Sequence, residues 1–124
     1  KDVAQTARTV LTCNKIVALY DMGIPFDPKL STLFRALGDD TRLLILDELR
    51  KRNDQSLFEL CARLFEEHSV TLSRQAITRH LNTLEDAGLI STAWRGRTKV
   101  HSLTVASLQS TINPWLKPFF KGRA

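Results

Sequence analysis

The run Ser73-Arg-Gln-Ala-Ile-Thr-Arg-His-Leu-Asn-Thr-Leu-Glu-Asp-Ala-Gly88 constrains this chain more than any other. Ile77, Leu81 and Leu84 recur at helical spacing and predict a helix with one face on a core. Ser73 suits the start, where a hydroxyl accepts from an orphan N–H, and Gly88 suits the left-handed turn that ends such a helix. Around the wheel, Arg74, Thr78 and Asn82 fall in one row and Gln75 and Arg79 in the next. These five make a polar stripe away from the apolar face. Arg, Gln and Asn carry the donor and acceptor pairs that match base edges in a major groove.

A strand is predicted over Leu89 to Trp94, then a glycine-centred turn, Arg95-Gly96-Arg97, and a second strand over Thr98 to Leu103. A helix followed by a hairpin with a basic tip is a winged-helix arrangement. Its helix would read bases and its flap would hold the backbone. Thr71 and Ser73, near the helix N-terminus, are candidates for phosphate contacts, and Arg95, Arg97 and Lys99 for the backbone or a minor groove. The charge supports this placement. The chain of 124 residues carries a net +5, which favours a polyanionic partner. From Thr71 to His101, five Arg and Lys face Glu85 and Asp86, a net of +3. From Ala36 to Val70, five basic residues face eight acidic ones, a net of −3. The positive charge is collected on the helix and hairpin, the footprint of a nucleic-acid binder.

In chain order, Val3 to Tyr20 reads as a helix with a loose apolar face. Asp21 to Lys29, with two prolines and a glycine, reads as a linker. Leu30 to Leu37 is a short helix with Leu33, Phe34 and Leu37 inward, ended by Gly38. Asp39 or Asp40 caps a helix over Thr41 to Arg52 whose buried side is Leu43, Ile45, Leu46 and Leu49. Arg50, Lys51 and Arg52 suit its last turn. Ser56-Leu-Phe-Glu59 is a capping box opening a helix through about Glu66, with Leu57, Leu60, Cys61 and Leu64 apolar. Its connection to the reading helix exceeds the usual helix-turn-helix turn. Thr104 caps a helix through Asn113, and Pro114 starts a new segment or a kink. Leu108, Ile112, Trp115, Leu116, Phe119 and Phe120 make this end too apolar to lie in water, which points to pairing with the first helix across a two-fold axis. His80 falls on the flank of the apolar face and is expected to be packed. His68 and His101 are given no role. Trp94 is expected to pack beside the wing.

Two cysteines, Cys13 and Cys61, with no CxxC or CxC pair, read as reduced thiols of a cytoplasmic protein. No run reaches membrane-span length, and no signal peptide is visible. No nucleophile constellation, phosphate loop or carboxylate pair suggests an enzyme.

Four pieces in order resemble the ArsR family of bacterial winged-helix repressors: Leu-Phe-Arg-Ala-Leu-Gly-Asp-Asp-Thr-Arg-Leu-Leu-Ile-Leu (33–46), Phe-Glu-Leu-Cys (58–61), Ser73 to Ile90, and Arg-Gly-Arg (95–97). The resemblance implies a homodimer joined by its first and last helices, which binds operator DNA and blocks transcription until an inducer arrives. Metal-sensing members place Cys-x-Cys where this chain has Leu60-Cys61-Ala62-Arg63, or Asp and His pairs on the last helix, where Val105 to Phe120 has no His, Asp, Glu or Cys. No metal and no cofactor are therefore expected.

The resulting expectation is a mainly α chain with a small β-hairpin, a winged helix-turn-helix and an α-helical homodimer interface. Residues 1–22 form an N-terminal dimerisation helix, 30–103 the DNA-binding domain and 104–124 a C-terminal dimerisation helix. The partner is double-stranded DNA, with Thr71, Ser73, Arg74, Gln75, Thr78, Arg79, Asn82, Arg95, Arg97 and Lys99 as contacts. The alternatives are a winged-helix protein-interaction module, or a thiol- or metal-responsive repressor using Cys61 and Cys13.

Overall fold

The structure is a computed structural model and describes residues 29–121. The helix expected over Val3 to Tyr20, Cys13 and nearly all of the expected linker lie outside the described residues. Helix α1 spans Leu30–Leu37, α2 Asp40–Lys51, α3 Leu57–His68, α4 Arg74–Asp86 and α5 Val105–Lys121. Strands β1 (Gln55–Ser56), β2 (Ile90–Arg95) and β3 (Thr98–Leu103) form one antiparallel sheet in the order β1-β3-β2. Ser31–Gln109 forms one compact unit, and Ser110–Lys121 belongs to a second.

α2, α3 and α4 each start where a cap dictates. Asp39 accepts from the Arg42 amide at 3.0 Å and opens α2. The capping box opens α3: Ser56 Oγ accepts from Glu59 N at 3.2 Å, and Glu59 Oε1 accepts from Ser56 N at 2.9 Å. Ser73 Oγ accepts from Ala76 N at 3.1 Å and opens α4. Gly88, at φ 77°, takes the left-handed turn into β2. The core gathers Leu33 and Ala36 from α1, Ile45 and Leu49 from α2, Leu60 and Leu64 from α3, Ile77, Leu81 and Leu84 from α4, with Leu89 before the sheet and Ile90 and Val100 from its strands.

Some faces turn differently from expectation. On α1, Ala36 is buried, Leu37 half-buried and Phe34 40% exposed. On α2, Leu43 is 47% exposed, while Glu48 is wholly buried. The reason lies in the donors that α3, and Lys51 of α2 itself, offer to Glu48. Arg63 Nε donates to its Oε1 at 2.7 Å, and His68 Nε2 and Lys51 Nζ donate to Oε2 at 2.9 and 3.2 Å. A buried carboxylate is tolerable when paired and hydrogen-bonded in this way. Leu43 and Leu46 instead line an apolar groove of about 400 Å3 with Leu89, Leu103 and Leu108. The expected two-stranded hairpin gains β1, which pairs Gln55 with His101 and Ser56 with Val100. His101 is buried, and its Nδ1 donates to the Gln55 carbonyl at 2.9 Å.

α5 continues as one helix through Pro114 and Pro118, so Pro114 lies inside it and does not open a new segment. In its later part Trp115 and Phe119 meet edge to face with centroids 4.9 Å apart. No described helix is long and apolar enough to cross a membrane.

Candidate nucleic-acid interface

α3 and α4 form the helix-turn-helix pair. α3 ends on Ser69 in the left-handed conformation, φ 57° and ψ 30°. Non-helical residues then carry the chain to Ser73, so the connection is long, as its sequence suggested. The rotation of α4 about its axis is set from two sides. Ile77, Leu81 and Leu84 are buried beneath it. On its flank, Arg42 Nη1 donates to His80 Nδ1 at 3.2 Å. The same guanidinium donates to the Ala36 and Arg35 carbonyls at 2.6 and 3.2 Å. His80 is thus packed, and through Arg42 it ties α4 to the end of α1.

With that rotation fixed, the polar stripe faces away from the core. Arg74, Gln75, Arg79 and Asn82 are exposed and Thr78 is half-buried. Thr78 Oγ1 donates to the Arg74 carbonyl at 2.8 Å, so its hydroxyl proton is engaged in the helix. Thr71 and Ser73 are exposed at the helix start, and the Ser73 oxygen also serves as the cap.

The wing follows. Gly96 at φ 63° makes the turn with nothing within 4 Å of where a Cβ would sit. Arg97 and Lys99 are exposed. Arg95 is also exposed, but its Nη2 donates to Asp54 Oδ2 at 2.7 Å, which braces the hairpin against the β1 side of the sheet. Asp54 accepts a second hydrogen bond from Ser102 Oγ. That bond, with Arg95 alongside, holds the Asp54 carboxyl below its ordinary pKa.

Helix and wing enclose a cleft of about 580 Å3. Thr78 and Asn82 line it from α4, Trp94, Arg97 and Lys99 from the wing, and Phe58 from the first turn of α3. No Asp or Glu is among its lining residues. Trp94 does not pack beside the wing as expected. It is 69% exposed, as Phe58 is at 67%. Sequence reading missed both as members of the site. The available signal was that Phe58 falls off the Leu57, Leu60 and Leu64 face of its helix.

The cations sort into two groups. Arg42, Arg50, Arg52, Arg63 and Arg95 are each held by hydrogen bonds from their side chains, Arg52 for instance to Glu59. The side chains of Arg74, Arg79, Arg97 and Lys99 make no hydrogen bond or ion pair with described residues, and outside α4 and the wing the same holds for Arg35 on α1 and Lys117 on α5. Arg74 instead lies over the Phe58 ring, its Cζ 5.8 Å from the centroid.

Two other chemistries fit less well. Cys61 is half-buried. Burial pushes its thiol pKa up, and the nearby charge of Arg74 only partly opposes this, so the thiolate needed for redox or metal chemistry is disfavoured. Glu48, Glu67 and His68 bring ligand atoms within 4.8 Å of one another. However, Arg63 and Lys51 already occupy these carboxylates, at 2.9 and 3.3 Å for Glu67. The group is an ion-pair network joining α2 to α3.

Comparison with known proteins agrees with the geometry. Residues 37–93 match a helix-turn-helix domain family. YuzN of Bacillus subtilis (strain 168), an uncharacterized HTH-type transcriptional regulator, is 42% identical over 85 residues, which cover 68% of this chain and 92% of that protein. SdpR of the same organism, a transcriptional repressor, is 34% identical over 90 residues, covering 73% of this chain and 91% of SdpR. An ArsR-like transcriptional regulator from Rhodococcus sp. RHA1 superposes with a TM-score of 0.63 at 35% identity, covering 77% of this chain and 83% of that one. Fold and site together define a winged helix-turn-helix DNA-binding regulator of transcription, and not an enzyme. More narrowly, the chain belongs to the ArsR family of transcriptional regulators.

Proposed function

We propose that this chain is a homodimeric repressor that lays α4 into the major groove of an operator and holds the adjacent backbone with its wing. The carrying observation is the sorting of its cations. Arg42, Arg50, Arg52 and Arg63 are spent on carboxylates and carbonyls, and among the described residues Arg35 alone of the other arginines in the unit is also unengaged, while Arg74, Arg79, Arg97 and Lys99 are exposed together on α4 and the wing. In this reading Arg74, Gln75, Thr78, Arg79 and Asn82 meet base edges, with Arg pairing guanine and Gln or Asn pairing adenine. Thr71 and Ser73 bond phosphates beside the N-terminus of α4. Arg97 and Lys99 hold the strand, and Arg95 joins them by sharing itself with Asp54.

Dimerisation is assigned to residues 1–22 and 104–124. Its support in the described residues is the exposure of Leu116, Phe119 and Phe120 on α5, at 36%, 59% and 65%. A two-fold pair would place the two copies of α4 in major grooves about one helical turn apart. Repression is supported by the name of SdpR as a transcriptional repressor. The chain would act in the cytoplasm without a metal or cofactor.

The test is a selection of duplexes from a randomised library by the wild-type protein, followed by binding of variants. Arg79→Ala is expected to weaken the selected duplex by about 1–3 kcal/mol and to relax one base position. Equal loss on a scrambled duplex would move Arg79 from bases to phosphates and refute the major-groove reading.

A further inference from the structure

We propose that Phe58, on the helix before the reading helix, is a specificity-positioning residue that holds Arg74 ready to pair with a base. This rests on the reading of α4 as the groove-bound helix. The two residues are sixteen positions apart in sequence, yet the Arg74 guanidinium carbon lies 5.8 Å from the centre of the Phe58 ring. Both backbones are fixed independently. Phe58 sits inside the capping box of Ser56 and Glu59, and Glu59 is tied further to Arg52 at 2.5 Å. Arg74 is the first residue of α4, directly after its Ser73 cap. The ring is 67% exposed, so core packing does not account for its place.

The manner of holding matters. Arg95 and Arg63 are also held in place, but by carboxylates, which take up their N–H groups. An aromatic face attracts a guanidinium through its quadrupole and occupies no lone-pair acceptor. Arg74 is therefore restrained while its donors stay available, and a guanidinium presents those donors as a planar fork suited to bidentate pairing. Restraint before binding lowers the rotamer entropy lost on binding. The benefit falls only on DNA that offers Arg74 an acceptor in the right place, so it appears as specificity. Cys61, one turn along α3 from Phe58, is close enough to feel the same positive charge.

The experiment measures binding of the full chain to the duplex selected by the wild type and to a scrambled duplex. Phe58→Leu, which keeps bulk and loses the ring's quadrupole, is expected to weaken the selected duplex about two- to fivefold. It should leave the scrambled duplex and the thermal midpoint unchanged. Phe58→Tyr, which keeps the ring, restores binding. In an Arg74→Ala background, Phe58→Leu has no further effect. The proposal is overturned if Phe58→Leu weakens both duplexes equally, or if its full effect persists without Arg74. Should Arg74→Ala bind the selected duplex like wild type, the assignment of Arg74 to a base fails, and this inference falls with it. The double-variant result separates that failure from a fault in the positioning alone.

Discussion

At the scale of single residues, Glu48 is the buried carboxyl through which the domain should answer to acid. Burial pushes its carboxyl pKa up, but hydrogen bonds from Arg63, His68 and Lys51 outweigh burial and bring it down to about 2 from an ordinary value of 4.5. A carboxyl depressed in this way contributes stability that is complete above its unfolded value and is lost as pH falls through the folded one. The thermal midpoint of the wild type should therefore drop between about pH 4.5 and about pH 2, and that slope should be shallower in Glu48→Gln. At neutral pH the same substitution leaves Arg63 and Lys51 without their buried partner and should cost about 3 kcal/mol in denaturant titration. A flat pH response in the wild type would remove Glu48 from this role. Little of this was legible beforehand. The wheel places Ile45, Glu48 and Leu49 together, but hydrophobicity alone favours Leu43 and Leu46 for the buried face. The choice was made by Arg63 and His68, on a helix whose position against α2 no local pattern encodes.

At the scale of elements, α4 was the most legible part of the chain, because its cap, its apolar repeat and its terminal glycine all agree. The stripe on its outer side could be named residue by residue for the same reason. The wing was legible as a hairpin, since alternating residues flank a glycine turn. β1 was not, because two residues show no period, and their pairing with β3 depends on a chain segment over forty positions away. The same limit hid the cleft, whose walls come from three elements. Two outcomes belong here. Arg97→Ala should weaken binding to all duplexes alike and reduce the slope of log affinity against log salt by about one unit. An unchanged slope would take the wing off the DNA. Trp94 and Trp115 are the tryptophans of the chain, so in a Trp115→Phe background the fluorescence of Trp94 should change when duplex is added. A silent signal would exclude the cleft from the bound surface.

At the scale of the whole molecule, the apolar end of α5 is the feature that most needs a partner. Replacing Phe119 and Phe120 together by Glu should shift the sedimentation of the protein from dimer to monomer and abolish tight binding to a two-fold duplex, because a single reading helix engages only half a site. An unchanged sedimentation coefficient would overturn the assignment of dimerisation to this end of α5. One connection inside the first unit also bears on how it moves. Ser56 ends β1 and also caps α3, so the edge of the sheet and the first turn of that helix share a residue. Opening the wing strand from β1 must then loosen the helix start, and the two should fluctuate as one cooperative block. In deuterated buffer the amides of β3 and those of the first turn of α3 should exchange at a common rate, slower than the tip at Gly96.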